Sequence, residues 1–307
     1  MQTVLIRHPA CSLHDMGAHH PECPERLSAI SDRLISSGLD ALLEHHEAPE
    51  ATREQLTRVH DGHYVDQVMA RAPTHGLVHL DPDTAMMPHT LPAALHAAGA
   101  AVLAVDLVVG GAAANAFCAI RPPGHHAVPD RAMGFCIFNN IAVAAAHALE
   151  HHGLERVAIL DFDVHHGNGT EDIFRDDPRV LLCQTFQHPF YPYQGADSGN
   201  AHVINVPLAS GTGSEGFRMA IEKAWLPALE AFGPQMLFIS AGFDAHREDP
   251  LAYLELTEAD YVWVTRKLLA IADRHCKGRV VSSLEGGYAL DALGRSVTEH
   301  VRALLEA

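Results

Sequence analysis

The sequence predicts an α/β domain in which helices cover both faces of a mostly parallel central sheet. From Ala116 onwards, short apolar runs rich in β-branched residues alternate with helical segments. This alternation is typical of βαβ units, whose crossover helices pack on a parallel sheet. Four of the predicted strands end in polar clusters, and ligands of α/β proteins bind at the carboxyl ends of strands. The 307 residues contain no linker or repeat, so we expect one domain over residues 1–307.

The predicted elements follow one another in a regular order. Apolar runs predict strands at residues 3–6, 116–120, 157–160, 180–186, 202–208, 236–240 and 279–284. Helices are expected after Pro24, over residues 92–109, 141–150 and 214–232, and from Thr170 and Thr257. Residues 54–70 are expected to form a short helix and a turn. The helix after Pro24 should bury Leu27, Ile30, Leu34 and Ile35. Asp81-Pro82-Asp83 is predicted to form a turn.

Composition excludes several classes of protein. The net charge of −17 argues against a nucleic-acid surface and is compatible with cationic substrates. We expect no membrane span, because no apolar run looks long enough, and no signal peptide at the N-terminus. The six cysteines form no C-x-x-C pair, which favours a reduced, cytoplasmic protein. The pairs His45-His46 and His151-His152 are interpreted as surface residues, and the sequence allows a homo-oligomer without defining one.

Three side chains at strand ends have the chemistry of metal ligands. Asp163 and His165 follow the strand at 157–160, and residues two apart on extended backbone point to the same side. Asp244 follows the strand at 236–240. Two carboxylates and one imidazole suit zinc, iron(II) or cobalt(II), and three ligands leave an open, catalytic position. The alternatives are a solvated strand end and, for Asp244, a helix cap.

Two adjacent histidines provide candidate acid–base groups. His125 and His126 follow a Pro-Pro-Gly bend after the strand at 116–120. Each ring needs a partner for its far nitrogen, and Asp161 and Asn168 are available. A solvated His-His turn is the alternative, although Gly134-Phe135 favours a pocket wall.

Tyr288 is a candidate hydrogen-bond donor to an oxyanion. It follows Gly286 and Gly287, which allow the backbone to approach a ligand closely. The alternative interpretation is a core tyrosine with a solvated hydroxyl.

Taken in order, the motifs resemble the zinc-dependent histone deacetylase and acetylpolyamine amidohydrolase superfamily. The resemblance covers nearly the whole chain, and Asn168 is similar to its class II branch, as is the segment from His20 to Leu27. The motifs that carry it are Pro123-Gly124-His125-His126, Gly134-Phe135-Cys136, the segment from Asp161 to Thr170, Ala241-Gly242-Phe243-Asp244 and Glu285-Gly286-Gly287-Tyr288.

The resemblance implies a three-layer α/β/α fold of the arginase and deacetylase type and one zinc ion per chain on Asp163, His165 and Asp244. It implies His126, paired with Asn168, as general base and acid, and His125, paired with Asp161, as an electrostatic catalyst. Tyr288 would hold the oxyanion. The implied substrate channel comprises Gly134, Phe135, Phe190, Tyr191, Asp81, Asp83, Gly286 and Gly287. A K⁺ or Na⁺ site is implied near Asp161, Asp163, His165, Thr185 and Phe186.

The function implied is removal of an acetyl or related acyl group from an amine, such as acetyl-lysine or an acetylpolyamine. A ureohydrolase with two manganese ions is one alternative, but only three ligands are evident and Tyr288 has no role in that chemistry. A catalytically silent acyl-lysine-binding module is another, but such a protein would not need His125, His126 and Tyr288 beside the ligands. The acidic gatekeeper of polyamine-specific members has no evident counterpart in this chain.

Overall fold

The structure, a computed structural model, describes residues 2–307 and contains two sheets. Eight parallel strands form the central sheet, and two antiparallel strands form a small hairpin beside it. The strands are β1 (Thr3–Arg7), β2 (Glu44–Glu47), β3 (Val78–Asp81), β4 (Thr84–Met86), β5 (Asn115–Cys118), β6 (Val157–Asp161), β7 (Val180–Gln187), β8 (Val203–Leu208), β9 (Leu237–Ala241) and β10 (Val280–Leu284). The order in the central sheet is β2-β1-β5-β10-β9-β6-β7-β8.

Helices pack on both faces of this sheet, which gives the predicted three-layer α/β/α architecture. They are α1 (Glu25–Ser36), α2 (Arg53–Leu56), α3 (Gly62–Arg71), α4 (Thr90–Val109), α5 (Asn140–Glu150), α6 (Asn168–Phe174), α7 (Ser214–Ala220), α8 (Leu226–Phe232), α9 (Glu258–Ile271) and α10 (Leu290–Leu305). A π-helical turn, Ile221–Trp225, joins α7 to α8, so the helix predicted over residues 214–232 is continuous. A second one, Ala272–Cys276, extends α9.

The central strands form because their side chains are apolar on both faces. Every residue of β5, β6, β9 and β10 is buried, as expected for strands covered by helices on each side. Thr257 precedes α9 and forms a capping box, since its side chain and that of Asp260 each accept from the other's backbone N–H. A single domain over residues 1–307 stays a prediction; one hydrophobic core contains residues of strands from β1 to β10, which agrees with it.

Several details differ from the sequence prediction. Strand β2 was missed because its sequence, Glu44–Glu47, is entirely polar; it pairs with β1 at the sheet edge. Ile35 is 61% exposed instead of buried, because the apolar stripe of α1 ends at Leu34. The sequence analysis expects no apolar run long enough to span a membrane; α4 reaches that length and composition, but 61% of its apolar window is buried inside the fold.

Candidate active site

The four polar clusters meet at one edge of the sheet. Strands β5, β10, β9 and β6 are consecutive neighbours, and all run in the same direction. Their carboxyl ends therefore bring together the residues that follow them: His125 and His126 after β5, Tyr288 after β10, Asp244 after β9 and Asp163 after β6. Residues as far apart in the sequence as His125 and Tyr288, 163 positions, thus lie at one site.

Asp163, His165 and Asp244 converge as the sequence predicts. Their candidate ligand atoms all lie within 4.8 Å of one another. His165 Nδ1 is 3.0 Å from Asp163 Oδ1 and 3.2 Å from Asp244 Oδ2. Asp244 Oδ1 accepts from the Val164 backbone N–H at 2.9 Å, whereas its buried Oδ2 makes no hydrogen bond to the described part of the chain. Asp244 also does not cap a helix, since no helix begins beside it.

The charges of this trio favour a bound cation. Burial and the nearby Asp163 raise the pKa of Asp244 to about 7. Burial alone would lower the pKa of His165, but the Asp163 and Asp244 carboxylates raise it to about 10. Two buried carboxylates therefore need protons or a cation as counter-charge. The Asp244 oxygen that accepts no hydrogen bond in residues 2–307 and the two-oxygen, one-nitrogen donor set fit a divalent ion such as zinc.

His125 and His126 each have the partner that the resemblance implies. His125 Nδ1 lies 2.9 Å from Asp161 Oδ2, and His126 Nδ1 lies 2.7 Å from Asn168 Oδ1. All four residues are buried. His125 is therefore oriented by a carboxylate, which favours its protonated form, and His126 by a neutral amide, which does not.

The pKa values of the two rings move in opposite directions. Burial lowers the pKa of His125, but Asp163 and Asp161 overcome this effect and raise it well above the usual value. Burial, together with the cationic neighbours His125 and His165, holds the pKa of His126 well below it. At neutral pH His125 is consequently charged and His126 is neutral.

Two anchors fix the loop that carries Tyr288. Asp249 Oδ2 accepts from the backbone N–H groups of Tyr288 at 2.7 Å and Ala289 at 3.2 Å. The Arg26 guanidinium lies over the Tyr288 ring, 5.1 Å from its centroid, and donates to the carbonyl of Gly287. Burial and the nearby Asp244 raise the pKa of Tyr288 well above its usual value, so the phenol keeps its proton and remains a donor.

A cavity of about 210 Å³ opens onto these groups. The Phe190 ring stacks on His165 with the centroids 5.6 Å apart, and the edge of Tyr191 meets His126 at 5.2 Å. Phe190 and Tyr191, both in the loop between β7 and β8, thus form part of the wall. The lining residues are Asp83, His126, Gly134, Phe135, His165, Phe190, Tyr191, Leu251 and Tyr288.

The backbone at Gly134 and Phe135 adopts an unusual conformation at this wall. Gly134 has φ +57°, and a side chain there would overlap the His126 ring. Phe135 has φ +68°, a rare and costly value for a bulky residue. Its backbone N–H donates to Thr84 Oγ1 at 3.0 Å, and Gly134 N–H donates to Asp83 Oδ1 at 2.9 Å. The hairpin of β3 and β4 therefore supports the strained segment.

Some predicted channel residues lie elsewhere. Asp83, not Asp81, lines the cavity, where it also accepts from the Tyr191 hydroxyl at 3.2 Å. Asp81 is set back because its carboxylate turns towards the backbone N–H of Asp83, 3.4 Å away. Gly286 and Gly287 are not in the lining: Gly286 N–H donates to Asp163 Oδ2 at 2.8 Å, and Gly287 contacts Arg26 through its carbonyl.

Sequence reasoning missed Glu285 as a supporting residue. Its buried Oε2 accepts from the backbone N–H groups of Gly124 at 2.6 Å and His125 at 3.1 Å. Burial raises the pKa of Glu285 to about 7. The residue precedes Gly286 in the motif and could have been found there, but no local pattern says that it reaches across to β5.

A buried ion cluster behind the Tyr288 loop was also missed. Glu22 accepts from Arg26 and Arg121, and all three side chains are fully buried. Burial opposes ionisation, but Arg121 holds the pKa of Glu22 well below its usual range. Removing one partner of such a cluster typically costs about 3–5 kcal/mol. The cluster therefore fixes Arg26, and with it the ring of Tyr288.

Comparisons with known proteins agree with this geometry. Residues 20–304 match the profile of the histone deacetylase domain. The chain is 43% identical over 281 residues to a histone deacetylase-like amidohydrolase of Pseudomonas aeruginosa, covering 89% of this chain and 73% of that protein. It is 36% identical to the human polyamine deacetylase HDAC10, covering 99% of this chain and 48% of that protein. The crystal structure of the HDA15 HD domain superposes with a TM-score of 0.94 at 36% identity, covering 99% of this chain and 88% of that chain.

Proposed function

The chain belongs to the histone deacetylase family, and from this premise we propose that it is a zinc-dependent hydrolase that removes acetyl groups from amines. One observation carries the proposal furthest. His165 of the predicted metal-ligand trio, a neutral histidine and a protonated tyrosine line one cavity. Metal-dependent amide hydrolysis uses these three functions together: a Lewis acid, a proton-transfer group and an oxyanion donor.

Asp163, His165 and Asp244 would hold the zinc ion. When bound, the ion would polarise the amide carbonyl and the attacking water. Asp244 Oδ2 is buried and accepts no hydrogen bond within residues 2–307; its close polar neighbour is the fellow ligand His165, which supports its role as a ligand. His165 Nδ1 points at both carboxylates and would complete the set.

His126 would move the proton. Its Nδ1 faces an amide oxygen of Asn168, which only accepts, so Nδ1 carries the ring hydrogen and Nε2 has the free lone pair. His126 lines the cavity, where Nε2 could take a proton from water and return it to the leaving amine. His125, kept charged by Asp161 and Asp163, would stabilise the negative charge that develops nearby.

Tyr288 would donate to the carbonyl oxygen as it becomes an oxyanion. The phenol stays protonated and is held at the cavity wall by Arg26 and Asp249. Phe135, Phe190 and Tyr191 would enclose the aliphatic arm of the substrate with aromatic surface. Asp83 would face the part of the substrate beyond this arm.

We also propose a monovalent cation site beside the zinc. Asp161, Asp163, His165, Thr185 and Phe186 would supply it, and Thr185 and Phe186 are buried on β7, the neighbour of β6. A cytoplasmic location is proposed on the unpaired state of all six cysteines within the described residues.

A substrate panel tests the function. Zinc-loaded protein should release acetate from acetyl-lysine peptides or N-acetylpolyamines and no urea from arginine or agmatine. The His126→Ala variant should bind the same substrate and the same zinc but release no acetate. Urea release would make the ureohydrolase alternative correct. Binding of acetylated ligands with no turnover by the wild-type protein would make it a binding module.

A further inference from the structure

We propose that Asp106, His147, His151 and His152 form a second metal site, which binds a divalent transition-metal ion such as Zn²⁺ and joins α4 to α5. One potential ligand atom from each side chain lies within 4.8 Å of the other three. Asp106 is in the last turn of α4, His147 is in the last turn of α5, and the other two histidines directly follow α5.

This cluster is separate from the candidate active site. The carboxyl ends of the strands carry the catalytic groups, whereas the C-terminal end of α5 leads back to the start of β6 at Val157. The two sites therefore lie at opposite edges of the sheet. The length of α5, whose 11 residues span about 16 Å at the usual helical rise, separates the end that carries the cluster from the end that begins at Asn140.

The contacts show that the four side chains already converge. Asp106 Oδ1 lies 2.8 Å from His147 Nε2 and 2.7 Å from His152 Nε2. The His151 ring stacks on His147 with the centroids 4.7 Å apart, and it meets His152 edge-on at 5.0 Å. Hydrogen bonds to Asp106 explain the positions of the His147 and His152 rings. The His151 side chain makes no hydrogen bond in residues 2–307, so hydrogen bonding does not explain why it lies against the other two rings.

The donor set selects the kind of ion. Three imidazoles and one carboxylate suit zinc, cobalt(II), nickel(II) or copper(II) and are poor ligands for calcium or magnesium. Four protein ligands also fill a tetrahedral coordination sphere, which is typical of structural zinc sites. His147 and His151 are four residues apart, so they share one face at the end of α5.

The local charges are suited to a cation, with one exception. The C-terminal end of α5 is the negative end of the helix dipole, which favours positive charge. Arg58 is the exception, because its Nη1 donates to His147 Nδ1 at 2.6 Å. A metal on Nε2 requires a hydrogen on Nδ1, and a guanidinium cannot accept that hydrogen. Arg58 must then turn to its other partner, Glu54, 3.1 Å away.

Zinc stoichiometry tests the site. Purified protein is saturated with Zn²⁺, freed of excess ion by gel filtration and analysed for zinc per chain. The double variant His151→Ala/His152→Ala should hold one zinc fewer than the wild type, with acetate release and circular dichroism unchanged. The matched control is His45→Ala/His46→Ala, another adjacent pair, which lies on exposed β2 and should keep the wild-type content. Equal zinc content in all three proteins would overturn the proposal.

Arg58 provides an independent test of the geometry. Arg58 occupies the nitrogen of His147 that must carry the ring hydrogen when the other nitrogen binds metal. The Arg58→Met variant should therefore bind the second zinc about tenfold more tightly, which is the lower end of the effect that hydrogen-bond partners of metal ligands have on metal affinity. The measurement is competition with a chromophoric chelator, and an unchanged or weaker affinity would overturn the assignment of His147 as a ligand.

Discussion

Replacing Tyr288 with phenylalanine should remove one hydrogen-bond donor and leave the rest of the site in place. The ring is held by the Arg26 guanidinium, and the backbone N–H is held by Asp249; neither contact uses the hydroxyl. Within residues 2–307 the hydroxyl makes no hydrogen bond, so its loss leaves no protein group unsatisfied. The free energy of unfolding should therefore stay nearly constant in Tyr288→Phe.

The catalytic effect should be large by comparison. An oxyanion donor in a water-excluded site contributes about 2.7–4 kcal/mol to transition-state stabilisation, so kcat should fall by about 10²–10³. Tyr64 offers a matched control, because its buried hydroxyl donates to the Ile137 carbonyl at 2.6 Å. Tyr64→Phe should lower stability by about 1–3 kcal/mol, the cost of an unsatisfied buried acceptor, and keep most of its kcat.

The assay pairs steady-state acetate release with thermal unfolding for both variants, at equal zinc content. The reasoning predicts that activity falls in Tyr288→Phe and that melting temperature falls in Tyr64→Phe. If Tyr288→Phe kept a kcat near that of the wild type and melted at a lower temperature, Tyr288 would be an ordinary core tyrosine, and the oxyanion role would be refuted.

Two further predictions concern support and pH. In Asp249→Asn, a side-chain amide N–H would face a backbone N–H of Leu251 or Tyr288, which disturbs the loop that carries Tyr288. We expect kcat to fall about 10–10²-fold while zinc content stays the same. The exposed Asp291→Asn is the control, and equal kcat in the two variants would contradict the role of Asp249 in positioning Tyr288. Burial lowers the pKa of His60 to about 4, below the usual 6.5. As the pH falls, His60 therefore becomes protonated in the unfolded chain before it does so in the folded protein. Stability should be fully present above pH 6.5 and fall on the order of 3 kcal/mol as pH decreases to 4. His60→Gln, which can still donate to Val128 and accept from Asn139, should flatten this slope in urea unfolding at several pH values, and an unchanged slope would contradict it.

The sequence predicts the parallel sheet and the central groups of the site for physical reasons. Strands such as β6 are short apolar runs with polar residues directly after them, so pattern and position both point to the sheet edge. Asp163 and His165 are two residues apart in the bend that follows β6, so they stay close to each other in space. The strand β2 has no such signal, because an edge strand with exposed Glu and His residues looks like a loop.

The residues that the sequence could not identify act over long distances. Glu285 reaches the amides of Gly124 and His125, 161 and 160 residues away along the chain, and Asp249 reaches Tyr288 across 39 residues. Asp81 and Asp83 are equivalent in the sequence, and only the turn between β3 and β4 directs Asp83 into the cavity. His151 and His152 look like ordinary surface residues until α4 brings Asp106 beside them.

The central claim is that metal held by Asp163, His165 and Asp244 is required for hydrolysis of acetylated amines. The most direct test measures acetate release from chelator-stripped protein before and after Zn²⁺ is restored, in the wild type and in Asp244→Ala. We predict that stripping abolishes wild-type activity, that zinc restores it, and that Asp244→Ala stays inactive after the same treatment. Undiminished hydrolysis by the stripped protein, or full recovery of Asp244→Ala with zinc, would contradict the claim.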